Sequence, residues 1–442
     1  MTRKLFISAI VALATSTSVH AGGLMTNTNY HIAFDRMFAR GASTEIDAAY
    51  SNPAGLAWGH EGWQLSLNFQ KPWQYRNIEA VTAAGTQKFE GKASAPIVPA
   101  LFASYKKGDW AFSTMIGIVG SGGFVEYKDG VPMFNMLMSG MLGQMGIVPS
   151  AYTIDSEMKG KQYIYGGQFN VTRKFGSYFS AAVGIRANYY DGYYRGHVKA
   201  GGHAVLGDLT NLELDVDQRG WGFAPIISAN YHRGPLTISA RYEFRTKIET
   251  ENKTNMLNAD LGTGLKTMLA QTNPAALQTI ATSLGGYTAE YQDGVKTRYD
   301  MPALFVAAVG YEFTKKFRGA VEYHFFDDKN AQMAGDRQKE LKHGTHEILA
   351  GVEYDINDKF IVSCGGQRTD YGLSDGYQKD TSFACDSYSI GLGGAWNINE
   401  KLRLNVSYFC SLYSDYNKPT SYGSEIYSRT NHVVGVGIDY KF

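Results

Sequence analysis

The sequence predicts an all-β fold, a fourteen-stranded antiparallel transmembrane β-barrel with a small N-terminal helical hatch in its lumen. Three observations predict it. From Trp63 onward, apolar and polar residues alternate with period two through a long series of segments. The connections between these segments alternate short and long, as the periplasmic turns and extracellular loops of an outer-membrane barrel do. The apolar face of many segments ends in aromatics (Tyr231, Tyr311, Phe313, Tyr354, Tyr440 and Phe442), as the girdles at the two membrane interfaces do.

Composition is consistent with that class. The 442 residues include 50 Gly but only 11 Pro, and 13% are aromatic, a mixture that suits strands and tight turns better than helices. The formal net charge of +1 carries no clustered basic face, so no nucleic-acid partner is expected. Arg3 and Lys4, the apolar run Leu5–Ala14 and the small-x-small pattern Val19-His20-Ala21 read as a signal peptide over residues 1–21. The apolar run is too short to span a bilayer, and no later stretch is long enough. An exported chain without such a stretch can enter a membrane only as a closed barrel.

Residues 22–61 form the expected hatch. Their pattern does not alternate. Asn29–Arg40 is a helix candidate broken by Gly41-Ala42, and Ser43 or Thr44 can cap a short helix through Tyr50. Asn52 then reads as an N-cap, with Pro53 in the first helical position, followed by Ala54 and Gly55. Asn52, Pro53, Ala54 and Gly55 are therefore the candidate gating corner.

Residues 62–442 form the expected barrel. Its strands are placed at 62–81, 97–106, 109–120, 161–173, 178–190, 220–231, 235–248, 302–314, 318–328, 345–355, 359–370, 385–397, 401–413 and 432–442. The pattern is clearest in Lys401–Leu412, where Leu402, Leu404, Val406, Tyr408, Cys410 and Leu412 share one face. The short connections include Lys107-Gly108, Lys174–Ser177 and Ile398–Glu400; the long ones are 121–160, 191–219 and 249–301. In the third segment Gly117, Gly120, Gly122 and Gly123 make a bend sterically cheap.

Two long loops carry helical patterns. Met133, Met136, Met138, Met141 and Met145 crowd the first, and a flexible Met surface suits the capture of varied apolar ligands or simply packs the loop on the rim. The last of them holds Met256–Leu269 and Pro274–Leu284 as amphipathic helix candidates. The inward register places Arg186, Arg241, Arg245 and Arg403 in the lumen with Glu243, Glu322 and Glu353. These arginines are candidate partners for a ligand carboxylate, or they pair with the glutamates across the lumen.

No catalytic, metal or cofactor site is expected. Gly372-Leu373-Ser374-Asp375-Gly376 has the Gly-x-Ser-x-Gly pattern but lies in a polar loop, not at a strand-to-helix elbow. His343 and His346 could reach a metal or haem, or stay solvated. Cys364, Cys385 and Cys410 are odd in number, so at least one lacks an intrachain partner.

Arg40-Gly41-Ala42 with Asp47–Ala57, Tyr299–Ala303 running into Ala308–Tyr311, and His346–Tyr354 with the terminal strand ending in Phe442 resemble the FadL-type outer membrane protein transport family. The resemblance implies a bacterial outer-membrane barrel of fourteen strands with a lumen-blocking hatch, ligand capture by long extracellular loops, and lateral exit at an inward kink of the third strand. It implies long-chain fatty acids or other hydrophobic compounds as substrates, outer-membrane lipid around the wall, and recognition of Phe442 by the barrel-assembly machinery. The alternatives are a haemin receptor and a general porin or structural barrel.

Overall fold

The computed structural model describes residues 22–83, 85–95 and 97–442, and of Ser121, Gly122 and Tyr287 the backbone alone. The expected signal segment lies outside the described residues. The rest folds as one closed antiparallel barrel of fourteen strands around an N-terminal plug.

In chain order the strands are β1 (Gly62–Thr82), β2 (Gly85–Ser94 and Val98–Lys107), β3 (Trp110–Tyr127), β4 (Thr153–Phe175), β5 (Phe179–Gly201), β6 (Thr210–Arg233) and β7 (Leu236–Glu243 and Glu249–Leu261). There follow β8 (Lys296–Arg298 and Leu304–Glu312), β9 (Phe317–Phe326), β10 (Thr345–Asp355), β11 (Phe360–Asp370), β12 (Ser387–Asn397), β13 (Leu402–Tyr413 and Tyr416–Thr420) and β14 (Gly423–Lys441). Each pairs with its neighbours in sequence. β1 closes the ring on β14, from Gln64 opposite Lys441 to Thr82 opposite Gly423.

Each predicted segment falls on one strand, because the alternation is real. On β13, Val406, Tyr408 and Leu412 are exposed on the outer wall, while Asn405, Ser407 and Phe409 are buried inside. Leu67, Phe69, Ile116, Phe169, Val183, Ile185, Phe223, Val321, Ile348 and Leu392 continue the apolar belt around the barrel. An apolar band facing outward, over a lumen rich in polar side chains, is the inverse of a water-soluble protein and marks a lipid-facing wall.

The strands are longer than predicted. β4 and β5 run for 23 residues and β6 for 24, where about 9–11 tilted residues cross a bilayer. The expected loops shrink accordingly to 128–152, 202–209 and 262–295. Above the membrane the outer face is charged, and rungs such as Lys161–Asp191 (2.6 Å) and Arg195–Asp215 (3.0 Å) replace the apolar contrast that reveals a strand. For the same reason Met256–Leu261, read as helix, is the end of β7.

A second correction concerns Arg245. β7 is interrupted between Glu243 and Glu249, and the interruption shifts the side-chain parity. Arg241 and Glu243 point inward below the break, and Thr246 and Ile248 above it. Arg245 is left exposed, bonded to the carbonyl of Asn330 beyond β9.

Three short helical elements build the plug: α1 (Ile32–Met37), α2 (Ala48–Ser51) and a 3-10 turn at Pro53–Trp58. Three helices lie at the extracellular mouth: α3 (Pro132–Gln144), α4 (Thr263–Thr272) and α5 (Pro274–Thr288).

Candidate functional site

The plug is seated by charge and by close approach. His31 caps α1, accepting the amide of Ala33 at its Nδ1 (3.0 Å). α1 carries Arg36, fully buried, whose Nη1 bonds to Glu353 of β10 and, at 2.7 Å, to Ser363 of β11. Arg318 of β9 binds the other oxygen of Glu353. Arg40 bonds to Asp47 (2.6 Å) and Glu45 (2.8 Å), and Glu45 in turn meets Arg403 of β13 at 2.6 Å. A Cβ added at Gly351 or Gly365 would lie 1.9 or 2.0 Å from the carbonyl oxygen of Met37, so only glycine lets α1 lie this close to the wall.

The Asn52–Gly55 corner faces the opposite wall. Pro53 takes the first helical position, as read from the sequence. Asn52 does not cap with its side chain; its Nδ2 donates to the carbonyl of Ser43 (3.0 Å) and to Asn230 Oδ1 of β6 (2.8 Å). The wall returns hydrogen bonds to the corner: Thr172 donates to Pro53 O (2.8 Å) and Ser180 to Ala54 O (2.6 Å). Gly55 sits so tightly that a Cβ would lie 2.4 Å from both Asn52 Nδ2 and Ser43 O. Ser43 does not cap a helix either; its hydroxyl donates to Asp47.

Above the plug, Arg186 of β5 and Arg241 of β7 share Glu243, and Arg241 also donates to Tyr50 O (2.7 Å) with its guanidinium 4.2 Å from the Tyr50 ring centre. All four candidate arginines thus already face carboxylates of the barrel or plug, Arg245 through Asp300 at 3.8 Å. Beside them lies a chamber of the lumen filled by an apolar cluster, in which Met25, Tyr30 and Tyr50 of the plug pack with Phe102, Ile164, Tyr190, Tyr299 and Met301.

One wall of this chamber is irregular. In β3, Val119 and Gly122 have no partner on β4, where the register shifts twice. β3 pairs with β2 as far as Gly117 and again from Phe124 onward. The N-terminal segment fills the step: Asn27 donates its amide to Val119 O (3.0 Å) and its Nδ2 to Ile118 O (3.2 Å). A Cβ at Gly120 would lie 2.4 Å from Met25 O. Gly117, by contrast, has ordinary room, and Gly123 is back in register opposite Gln162.

The extracellular mouth is filled by a second apolar cluster. α3 turns Phe134, Leu137, Met138, Met141 and Leu142 into it. Met133 and Met145 are half-buried against it, and Met136 is exposed. Phe134 and Leu137 line one side of an apolar cleft of about 60 Å³, with Val198, Leu212, Leu214, Leu257 and Leu284 opposite.

The remaining candidates sit apart from this axis. The three cysteines are free thiols: Cys364 exposed, Cys410 half-buried, and Cys385 buried beneath Tyr427. His343 and His346 lie 5.2 Å apart between ring centres, His346 bonded to Tyr323 (2.7 Å) and His343 to Gly344 O (2.8 Å). The Ser374 hydroxyl donates to Glu340 O. Sequence reasoning missed Arg36 and Glu45, and of the loop 371–386 it read only Gly372–Gly376 and Cys385; of the plug's charged anchors only Arg40 and Asp47 stood in a recognisable block.

No family model matches the chain, and no curated protein sequence matches it. Solved structures do share its fold. A Pseudomonas aeruginosa FadL homologue superposes with a TM-score of 0.67 at 13% identity, over 95% of this chain and 100% of that one. The Pseudomonas putida toluene transporter TodX gives 0.59 at 13% identity, over 97% and 100%. The Ralstonia pickettii toluene transporter TbuX gives 0.54 at 12%, over 90% and 94%. At these identities the likeness is one of fold, and the resemblance read from the plug block is met at that level.

Proposed function

We propose that this protein is an outer-membrane diffusion channel for hydrophobic molecules, with long-chain fatty acids as the first class to test. The observation that carries the reading is the pair of apolar clusters inside the barrel, one at the mouth around α3 and one, rich in tyrosines, where the plug packs on the wall. A water-filled porin has no use for either cluster. Transport driven by partition alone needs greasy surfaces in series, each exchanging about 0.8 kcal/mol per buried CH₂ with the next.

In this reading the methionine face of α3, Met133 to Met145, takes the ligand first. The plug corner at Asn52–Gly55 keeps the lumen closed to solutes. The stepped wall at β3, covered by Met25–Asn27, is the way out toward the bilayer. Arg186 Nε and Nη1 and Arg241 Nε have no hydrogen-bond partner among the described residues, so an anionic head group would find donors there but would meet the charge of Glu243 beside them.

Uptake of labelled oleate, toluene, haemin and a small sugar by cells lacking their own transporter tests this. Uptake of oleate or toluene without sugar is the expected result. Sugar uptake alone would mean an open pore, and haemin uptake alone a different cargo in the same fold.

A further inference from the structure

The strap of residues 371–386 between β11 and β12 contributes side chains to both apolar clusters, which also meet at the Tyr190 and Tyr194 hydroxyls (3.4 Å). Its Phe383 and Cys385 belong to the mouth cluster, while its Tyr371, Leu373, Tyr377 and Ala384 belong to the chamber. The strap therefore links the mouth cluster to the plug cluster.

Side chains, not a strand ladder, hold it there. Arg337 donates to the carbonyls of Tyr377 (2.6 Å) and Ser382, and Arg76 of β1 to that of Phe383. Lys418 of β13 donates to Gln378 O (2.9 Å). Within the strap, Gln378 spans to Ala384 with two hydrogen bonds, Lys379 bridges to Ser382, the amides of Tyr377 and Gln378 donate to Ser374 O, and the Tyr371 amide donates to Asp386. Releasing the strap would thus leave the barrel ladder intact.

The strap also touches the elements at both ends of the path. Asp380 Oδ2 accepts the amide of Met133 (2.7 Å) in the first turn of α3, the helix whose methionines face the mouth. Asp380 Oδ1 accepts the Tyr427 hydroxyl (2.8 Å), which is also 2.6 Å from Glu425. At the other end, the Tyr371 hydroxyl donates to Gly22 O (3.2 Å) at the start of the segment that covers the β3 step.

We propose that the strap 371–386 is an inner gate between mouth and chamber, with Asp380 as the latch that ties it to α3. This rests on the reading that apolar ligands travel along the axis. A ligand displacing the α3 methionines would pull on the latch. The strap would then swing, open the chamber from above and, through Tyr371, loosen the cover of the side exit.

The strap carries its own reporter, the buried thiol of Cys385. In a background with Cys364→Ser and Cys410→Ser, modification of Cys385 by aqueous N-ethylmaleimide at pH 7.5 reads strap opening with no ligand present. Asp380→Ala should label at least tenfold faster than Asp380→Asn, which keeps an acceptor for the Met133 amide and does not ionise, and Arg337→Gln at least tenfold faster than the unmodified protein. Heat-modifiable migration on gels verifies that each variant retains its barrel. Initial uptake of labelled oleate or toluene in cells should rise in the same order. A Cys385 rate no faster in Asp380→Ala than in Asp380→Asn, together with an unchanged rate in Arg337→Gln, would overturn the latch and the gate. Faster labelling with unchanged, active uptake would remove the gate but leave the transport reading standing. Uptake of neither probe by the unmodified protein would take down both.

Discussion

At the periplasmic end the plug is fixed by charge: Arg36 on Glu353, Arg40 on Asp47 and Glu45, Arg403 on Glu45. At the extracellular end α3 is fixed by grease, with Phe134, Leu137, Met138, Met141 and Leu142 packed on aliphatic and aromatic neighbours. The two kinds of attachment behave differently. A buried ion pair has one good geometry and a steep penalty for any other. Apolar contact is non-directional, so an apolar ligand can take the place of a side chain at small cost. The first suits a seal and the second suits a receptor.

The largest test of this contrast is Glu353→Ala. It strands the buried guanidinium of Arg36 and should cost about 3–5 kcal/mol, seen as unfolding at lower urea and as protease cleavage within the plug. Next is Leu142→Ala in α3, which empties part of the mouth cluster. Its cost of about 2 kcal/mol, the low end for such truncations because α3 can settle, should appear as slower oleate or toluene uptake with no new ion conductance in planar bilayers. Asn52→Ala comes third. It leaves Asn230 and the Ser43 carbonyl without their donor, at about 1–3 kcal/mol, and should raise conductance while sparing the mouth.

A fourth test uses pH. Burial, and the Glu425 carboxylate beside it, push Asp380 up to about 7; Tyr427, Lys418 and the Met133 amide are its other neighbours. With the strap open and solvated, the same group would titrate near its ordinary value of about 4. Below that value both states are protonated and the latch is at full strength. Raising the pH toward 7 ionises the open state first, so the closed state loses about tenfold in population per unit until the curve levels above 7. Cys385 modification, corrected for thiolate fraction, should rise between pH 5 and 7, and Asp380→Asn should flatten it. The smallest effect is expected at the rim. Glu61→Ala removes the solvent-exposed pair with Lys106 and should leave plug retention and uptake unchanged.

The wall was legible in the sequence wherever lipid supplied the contrast. Leu402 to Leu412 alternate because one face meets acyl chains and the other the lumen, and that is visible without coordinates. Beyond the bilayer the contrast disappears, so the upper halves of β4, β5 and β6 read as loop. The break in β7 was invisible because nothing local in Phe244–Ile248 announces a parity shift, and Arg245 was misplaced as a result. Pro53 at the head of its turn follows from backbone chemistry alone. The partners of Arg186 and Arg241 depend on which strands adjoin, and those of Arg36 on contacts 317 and 327 residues away. The strap has no repeat at all; it matched a hydrolase-like pattern that its surroundings do not support.

The seat of α1 bears on how the molecule is made. The helix lies within the first forty residues, yet Glu353, Ser363, Gly351 and Gly365 belong to β10 and β11, and the ring shuts only when β1 finds β14. A cork cannot be driven through a finished cask whose staves are hydrogen-bonded all round. The leading end of the chain must therefore wait inside an unfinished wall, exposed, while the last third of the protein is laid down. Contacts this distant in sequence form slowly. During that interval Arg40 can already hold Asp47 and Glu45, but Arg36 has neither Glu353 nor Ser363, and the nascent barrel depends on whatever shields it.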